Sequence, residues 1–518
     1  METVPRALGK SLPRSFIETA GIRYREREAV YCTSTGRRFT FGELDRRANR
    51  LAHALLSLGY RKGSVVGVVC SNRVELYDFY FALAKTGIVG LPLNYRLAPA
   101  EIVALLHAMN AEGLITEERF AATAAYVRER LPAVKHLIWV GSAPPPAALD
   151  YERLLADASD ANPVASIEEH DPYYFNLTSG TTGLPKSYVL THFNATPIAL
   201  FALAFDVRPE DVILTLFPAF GRVGMAWLTV GLVSGARNVL ANFDVAQALK
   251  LIESEQVTVT NLVPTMAAMM LASPDLPQHS LASLRHVVFA GATLPAPIRE
   301  ATQRQICPSI YEYYGMQETG ALTISDPEDR KRRPDSVGRI GLFSALQVVT
   351  PDGSPAAIGE IGEIVGASPA AATGYYGDPA RSAETFRDGW IHTGDLGRLD
   401  AEGYLFICGR KKDMIITGGQ NVFAAEVEEV LLEFDGVIDC AVFPIPDGTW
   451  GECVTAVVVT REGRGIPLQE LQSFCRARLA GFKIPRRLHV QHTPLPRTPT
   501  GKVQKFLLIE RYGADTTH

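Results

Sequence analysis

The densest cluster of chemistry-bearing residues in the sequence is Thr178-Ser179-Gly180-Thr181-Thr182-Gly183-Leu184-Pro185-Lys186. Two glycines let the backbone curl, four hydroxyls add to the amide donors, and a lysine closes the stretch. Unpaired N–H and O–H donors beside a cation replace the water that a polyphosphate loses on binding, so the stretch predicts a phosphate-holding loop. The apolar run Tyr173–Leu177 ahead of it reads as a strand that would anchor it. The spacing differs from the Walker pattern G-x-x-x-x-G-K-[ST], which makes this a different kind of phosphate loop. Gly, Ser and Thr also cluster in plain surface turns. Hydroxyl density, the preceding strand and Lys186 weigh toward phosphate.

The elements that must position such a loop are visible in the hydrophobic pattern. Thr40-Phe41-Gly42-Glu43 has capping-box form, and Leu44, Ala48, Leu51, Leu55 and Leu58 follow at helical spacing before Gly59. Val65–Cys70 is an unbroken apolar run, the pattern of a strand buried on both faces. A helix over Val74–Thr86 and a second apolar run, Ile88–Leu93, come next. Helix alternating with continuous apolar strand predicts an α/β fold with parallel strands and right-handed crossovers. Leu137–Val140 reads as a strand and Gly141–Ala148 as a loop. Beyond the phosphate loop, strands over Val212–Phe217, Val257–Val263 and Arg285–Phe289 continue the pattern, with a helix over Ala246–Glu255. Asp326–Asp335, alternating acids and bases, reads as a solvated spacer. Gln347–Val349, Glu363–Val365 and Gly403–Ile407 predict a smaller, mostly antiparallel unit.

Composition changes again near residue 410. An acidic amphipathic helix over Ala425–Phe434, strands at Val437–Phe443 and Val454–Thr460, a helix at Leu468–Leu479 and a strand at Arg487–Gln491 predict a compact α+β domain. At roughly a hundred residues it is large enough to fold as a unit. The boundary Gly409-Arg410-Lys411-Lys412-Asp413 is charged and lacks the Gly/Ser content of a flexible tether, so it reads as a hinge. The expected organisation is therefore an N-terminal domain over 1–409, a hinge over 410–413 and a C-terminal domain over 414–518.

Size and charge exclude several classes of function. The chain has 518 residues, 47% of them hydrophobic, so burying a core poses no difficulty. Fifty-one Lys plus Arg against 56 Asp plus Glu is a near balance, without the basic block that would track nucleic acid. Seven scattered cysteines with no C-x-x-C indicate neither a disulfide frame nor a zinc knuckle, and fit a reducing compartment. Met1–Ala20 lacks the apolar core of a signal peptide, and no run approaches the roughly 18 apolar residues of a membrane span. The C-terminal Thr-Thr-His is not a peroxisomal address. These features predict a cytoplasmic protein; they leave a homodimer open.

Four further motifs lie in order behind the phosphate loop: Tyr314-Gly315-Met316-Gln317-Glu318; Thr393-Gly394-Asp395; Gly409–Asp413 with Gly418-Gly419-Gln420-Asn421; and Pro496-Arg497-Thr498-Pro499-Thr500-Gly501-Lys502. Together the five resemble the adenylate-forming superfamily of acyl- and aryl-CoA synthetases, peptide-synthetase adenylation domains and firefly-type luciferases. The resemblance runs from about Arg38 to Lys505 and is nearest in look to fatty-acid and acyl-CoA ligases. It implies a large N-terminal domain of two layered, parallel-rich sheets plus a small β-barrel-like unit, and a small mobile C-terminal domain. It also implies ATP, Mg²⁺ and coenzyme A, with a carboxylic acid activated as acyl-AMP before a thiol attacks it.

Residue by residue, the resemblance assigns the β- and γ-phosphates to Thr178–Lys186 and a Mg²⁺-binding carboxylate to Glu318. Tyr314 would offer its ring to adenine, with Gly291-Ala292-Thr293 on the other side. Glu312 would accept from the adenine amino group, and Tyr313 and Gly315 lie in the same nucleotide-binding stretch. Asp395 would take the ribose hydroxyls with Arg410 as a second contact. Lys502 would bridge carboxylate and α-phosphate, where a cation stabilises the transition state more than the separated anions. Lys505 beside it is expected to be solvated. The C-terminal domain would turn about Lys412 to present Gly418, Gly419 and Trp450 to coenzyme A, because the lysine occupies the side from which the thiol must approach.

The chain departs from that pattern at three places. Gly221, then Arg222, stand where the family usually has a histidine bordering the acid site. Gln317 replaces a threonine that donates to the α-phosphate; its amide still donates from a longer side chain. Ala424 replaces a usual proline. The expected acid pocket is formed by Phe220, Gly221, Met225, Phe289, Ala290, Gly315 and Met316, with Val263–Met266 and Ala321-Leu322 nearby. Its apolar, open character suits a medium or long aliphatic acid or a bulky aryl or polycyclic one. Arg222 is expected to point to solvent or to pair a second carboxylate. The readings left open are transfer to a carrier-protein phosphopantetheine, luciferase-like oxygenation, and a catalytically weakened nucleotide-binding homologue.

Overall fold

The computed structural model describes residues 10–178, 185–460, 465–497 and 503–513. Two parallel-rich sheets make up most of it. The seven-stranded sheet runs Leu149–Asp150, His136–Val140, Ala111–Glu117, Val65–Val69, Val89–Pro92, Pro172–Thr178, Lys186–Thr191. All its neighbours are parallel except the last pair. The nine-stranded sheet carries Val212–Thr215, Arg237–Leu240, Val259–Leu262, His286–Phe289 and Ile310–Met316 in parallel, with antiparallel strands Gly320–Ser325 and Arg339–Ile340 at one edge.

The capping box at Thr40 and Glu43 is formed and starts the helix Phe41–Ser57, whose Leu44, Ala48, Leu51 and Leu55 are buried. Every residue of the following helix, Glu75–Thr86, is buried. Its aromatic rings join one apolar cluster with Tyr173, Tyr174 and Tyr188 of one sheet and with Met225 and Leu228 of the helix Arg222–Ser234. This shared core fixes the two sheets against each other, and both contribute to the site below.

A five-stranded antiparallel sheet follows, built on Ala345–Val349, Gly362–Ala367 and the long strand Trp390–Leu399, with Leu405–Arg410 at its side. Beyond it, Met414–Thr417, Gln420–Phe423, Val437–Asp447, Gly451–Thr460 and Arg487–Gln491 form a separate sheet. Helices Ala424–Leu432 and Leu468–Arg476 bury one face of it, and helix Lys505–Gly513 packs on the other. No helix among the described residues is long and apolar enough to cross a membrane.

Two expectations are corrected. Asp326–Asp335 is not a solvated spacer: Asp326 accepts from the Glu328 and Asp329 amides and caps the helix Pro327–Arg332, in which Asp329 and Arg330 are buried. Acids in its first turn and bases in its last complement the helix dipole, and that pattern stands in the sequence. Lys505 is not a free solvated charge, because its Nζ lies 2.7 Å from Glu428 Oε1 on the neighbouring helix.

Candidate active site

The antiparallel pair at the edge of the seven-stranded sheet carries the phosphate-loop motif. Thr178 and Lys186 are register partners, so the two ends of the motif are held side by side. Residues Ser179, Gly180, Thr181, Thr182 and Gly183 lie outside the described residues, as does Lys502. Lys186 extends over the ring of Tyr375, its Nζ 4.9 Å from the centroid. Burial, then Arg381, pulls its ammonium below the usual lysine range, while Glu318 works in the opposite direction.

Glu318 is 5% exposed, and its Oε1 accepts from the Tyr375 hydroxyl at 2.8 Å. Its own carbonyl accepts from the Ala372 amide at 2.8 Å. One buried carboxylate beside a lysine is a fitting ligand for a hard divalent ion that takes its remaining oxygens from phosphates and water. No three-residue cluster able to hold a metal without such help occurs among the described residues. The residues thus suit a magnesium–nucleotide complex and do not form an all-protein cage.

Across the cleft, Tyr314 donates its hydroxyl to Asp395 Oδ2 at 2.8 Å, and Arg410 Nε lies 2.9 Å from Asp395 Oδ1. Arg410 and Asp395 are register partners on adjacent strands, which explains how residues fifteen apart converge. Burial and the Asp395 charge hold the Tyr314 phenol well above its ordinary range, so it remains a donor. Gly315 sits where the strand Ile310–Met316 bulges; a Cβ there would meet the Gly320 carbonyl, with that carbonyl's carbon at 2.8 Å. A cavity of about 400 Å³ is lined by Lys186, Met316, Tyr375, His392, Gly394 and Lys411 among others. Glu363 at its wall accepts from the Gly394 amide at 3.2 Å and pairs with Lys411 at 3.2 Å.

Other predicted residues sit differently from expectation. Glu312 is buried and ion-paired with Arg330. The Gly291-Ala292-Thr293 turn is exposed, with Gly291 at φ +86°. Gln317 Oε1 accepts from Asn176 Nδ2 at 2.9 Å, which leaves its Nε2 as the end able to donate. Tyr313 packs against Phe201 and Phe205, and its buried hydroxyl has no hydrogen-bond partner among the described residues.

The residues expected at the acid pocket come from several elements. Phe220 meets Tyr95 edge-on at 5.3 Å, Gly221 is the N-cap of the helix Arg222–Ser234, and Met316 lines the cavity. Met225 and Phe289 are each buried in an apolar core, Met225 between the sheets and Phe289 with Val287 and Leu262. Ala290 is buried at the strand end. Arg222 does not point to solvent, and among the described residues it meets no carboxylate; it is 6% exposed and donates to the carbonyls of Gln317 and Ala370.

In the C-terminal sheet, Gly418 and Gly419, both at positive φ, turn the hairpin between Met414–Thr417 and Gln420–Phe423. The Gly418 amide donates to the Trp450 carbonyl at 2.8 Å, and a Cβ on Gly418 would sit 2.9 Å from the indole. Trp450 is 45% exposed with the Arg486 guanidinium over its ring at 3.9 Å. Lys412 is exposed in the short turn Lys411–Asp413 that joins the two sheets' strands.

Residues 17–376 match the AMP-binding enzyme family, and residues 426–502 match the AMP-binding enzyme C-terminal domain. The chain belongs to the AMP-binding enzyme family. A feruloyl-CoA synthase from Amycolatopsis sp is 35% identical over 488 residues, 92% of this chain and 95% of that protein. A long-chain-fatty-acid–CoA ligase of Mycobacterium tuberculosis is 33% identical, covering 93% and 94%. A fatty acid–[acyl-carrier-protein] ligase of Streptomyces coeruleorubidus is also 33% identical, covering 94% of each chain. Among solved structures, an anthranilate CoA ligase in complex with anthranoyl-AMP superposes with TM-score 0.90 at 28% identity over 98% of both chains. An amide bond synthetase from Marinactinospora thermotolerans gives 0.87 at 26% identity, covering 96% of this chain and all of that one. The relatives make this AMP-binding enzyme an acid–thiol ligase of the acyl/aryl-CoA ligase type.

Proposed function

We propose that the chain joins a hydrophobic carboxylic acid to coenzyme A in two steps, forming acyl-AMP with release of pyrophosphate and then the thioester. The observation that carries this reading is a cavity lined by Lys186, Tyr375, Thr393 and Gly394, with Glu318 bonded to Tyr375 and with Asp395, next to Gly394, bonded to Tyr314 and Arg410. Asp395 accepts the ribose hydroxyls, Tyr314 gives its ring face to adenine, and Gln317 donates from Nε2 toward the α-phosphate. Glu318 would hold Mg²⁺ with help from phosphate oxygens, and the bound ion would supply charge neutralisation for the departing pyrophosphate. Lys186 supplies a fixed cation on the phosphate side. Lys502 draws carboxylate and α-phosphate together, an interaction strongest where the two anions meet.

Residues 1–409 hold nucleotide and acid, and 414–518 turn about the 410–413 hinge between steps. The turn brings Gly418, Gly419 and Trp450 to the thiol's path. The exposed indole against a side-chain-free glycine turn supports that assignment. Seven free cysteines fit a reducing, cytoplasmic setting. A carrier-protein thiol is the second reading, favoured by the 33% identical acyl-carrier-protein ligase. Pyrophosphate release across aliphatic, aryl and polycyclic acids, followed by product capture with coenzyme A or with a loaded carrier protein, separates the two. Lys502→Ala is expected to lose adenylation by at least a hundredfold, several kcal/mol of transition-state stabilisation. Thioester formation from supplied acyl-adenylate should survive it, and equal loss of both steps would refute the division of labour.

A further inference from the structure

Arg222 is a residue the reaction does not obviously need and the fold should resist. It opens the helix Arg222–Ser234, where the backbone dipole disfavours a cation, and it is 6% exposed. A buried guanidinium is costly unless its donors are satisfied. No carboxylate among the described residues lies within ion-pair distance of it; main-chain carbonyls meet it instead. Nη1 donates to Gln317 O, which also accepts from the Tyr188 hydroxyl, and Nη2 donates to Ala370 O. The guanidinium is packed under Gly320, whose Cβ, if present, would stand 3.3 Å from Nη2.

Both carbonyls belong to segments that hold Glu318. Gln317 O is on the peptide leading into Glu318. The Ala370 segment is stitched to the same turn by Ser368 Oγ donating to Thr319 O at 2.6 Å, and by the Ala372 amide donating to Glu318 O at 2.8 Å. It then delivers Tyr375, whose hydroxyl meets Glu318 Oε1 at 2.8 Å. The segment's far side is tied down by Asn194 Nδ2 to Pro369 O at 2.9 Å and by the Tyr376 amide to Ser187 O at 2.7 Å. Arg222 adds to these single bonds one rigid, charged fork that bridges the turn before Glu318 and the segment behind it.

We propose that Arg222 is a positioning residue for Glu318: by clamping the Gln317 and Ala370 carbonyls it sets the carboxylate's distance and angle for a divalent cation on the nucleotide. This rests on the metal-binding reading of Glu318 given above. Small displacements at a metal ligand weaken binding because hard ions demand fixed oxygen distances.

The test is Mn²⁺ binding to the full-length protein with ATP and no acid, read from loss of the free-ion electron paramagnetic resonance signal. Wild type is compared with Arg222→Met, Arg222→Lys and Glu318→Gln, and ATP affinity in chelator is measured for each. Arg222→Met should weaken Mn²⁺ by about tenfold, the worth of one charge-assisted hydrogen bond. Metal-free ATP affinity should hold within about twofold, and Arg222→Lys, which keeps the charge but not the fork, should recover part of the loss. The proposal is overturned if Arg222→Met leaves Mn²⁺ affinity at the wild-type value, or if metal-free ATP affinity falls by the same factor. Should Arg222→Met fail to fold, Arg222→Lys decides by the same comparison. An unchanged Mn²⁺ affinity in Glu318→Gln removes the metal role of Glu318 itself, and this inference with it.

Discussion

Asp395 offers the sharpest quantitative handle on the nucleotide site. Asp395 is 6% exposed, and its carboxylate is already bound on both oxygens, by Tyr314 on Oδ2 and Arg410 on Oδ1. Each carboxylate oxygen has a second lone pair, so the group can still accept from two ribose hydroxyls. Asp395→Asn keeps the shape but removes the charge and turns one acceptor into a donor. At least one ribose hydrogen bond is then lost, and hydrogen bonds to charged groups contribute about 1.5–3 kcal/mol each. The expected loss in ATP affinity is therefore roughly tenfold to 150-fold. The substitution also frees Tyr314 and Arg410, so a drop in affinity alone would not establish a ribose contact. Titrating ATP and 2′,3′-dideoxy-ATP side by side by calorimetry removes that ambiguity. The dideoxy nucleotide should bind wild type weakly and lose no more than about twofold further in the variant. If both nucleotides weaken by the same factor, Asp395 acts on the fold of the cleft and the ribose assignment is wrong.

Gly315→Ala would push a methyl group into the Gly320 carbonyl and force open the bulge that presents Tyr314. It should cost more than about tenfold in ATP affinity, and unchanged binding would contradict the bulge's role. Gly418→Ala sets a Cβ 2.9 Å from the Trp450 indole, and Trp450→Ala removes that ring. Both are expected to slow thioester formation while pyrophosphate release continues, which stopped-flow assays of the two half-reactions would separate. His192 is fully buried, and burial lowers its imidazole to about 4 from an ordinary 6.5. Because its folded value lies below the unfolded one, the unfolded chain takes up protons first as pH falls, and stability drops. Between pH 6.5 and 5 the loss should be roughly 1.5 kcal/mol. Urea unfolding of His192→Gln should lack this component, and identical pH profiles for the two proteins would refute it.

The sequence carried most of the fold because the core strands are continuous apolar runs and the helices between them keep a clean period. Val65–Val69 and Val259–Leu262 fell within the expected ranges, and the Thr40 capping box formed as its spacing demands. Where chemistry is confined to a short motif the sequence named residues that the structure holds in polar contacts: Tyr314 with Asp395, and Glu318 with Tyr375. Contacts made across distant segments were not legible. Nothing near Tyr375 announces that its hydroxyl meets Glu318, 57 residues earlier. Glu312 gave no sign of Arg330, because the segment holding that arginine looked like spacer rather than a capped helix. Arg222 was misjudged for the opposite reason, since a cation beside a loop glycine ordinarily seeks water, and here two backbone carbonyls take its place. Met225 and Phe289 are apolar residues of a kind that suits either a pocket wall or a core, and sequence type alone does not distinguish those fates.

The central claim, that the acid passes through an acyl-adenylate, predicts where an oxygen atom goes. A carboxylic acid labelled with ¹⁸O in both carboxyl positions, turned over with ATP, Mg²⁺ and coenzyme A, should leave one labelled oxygen in the AMP formed and one in the thioester. AMP that carries no label while thioester accumulates would contradict the account.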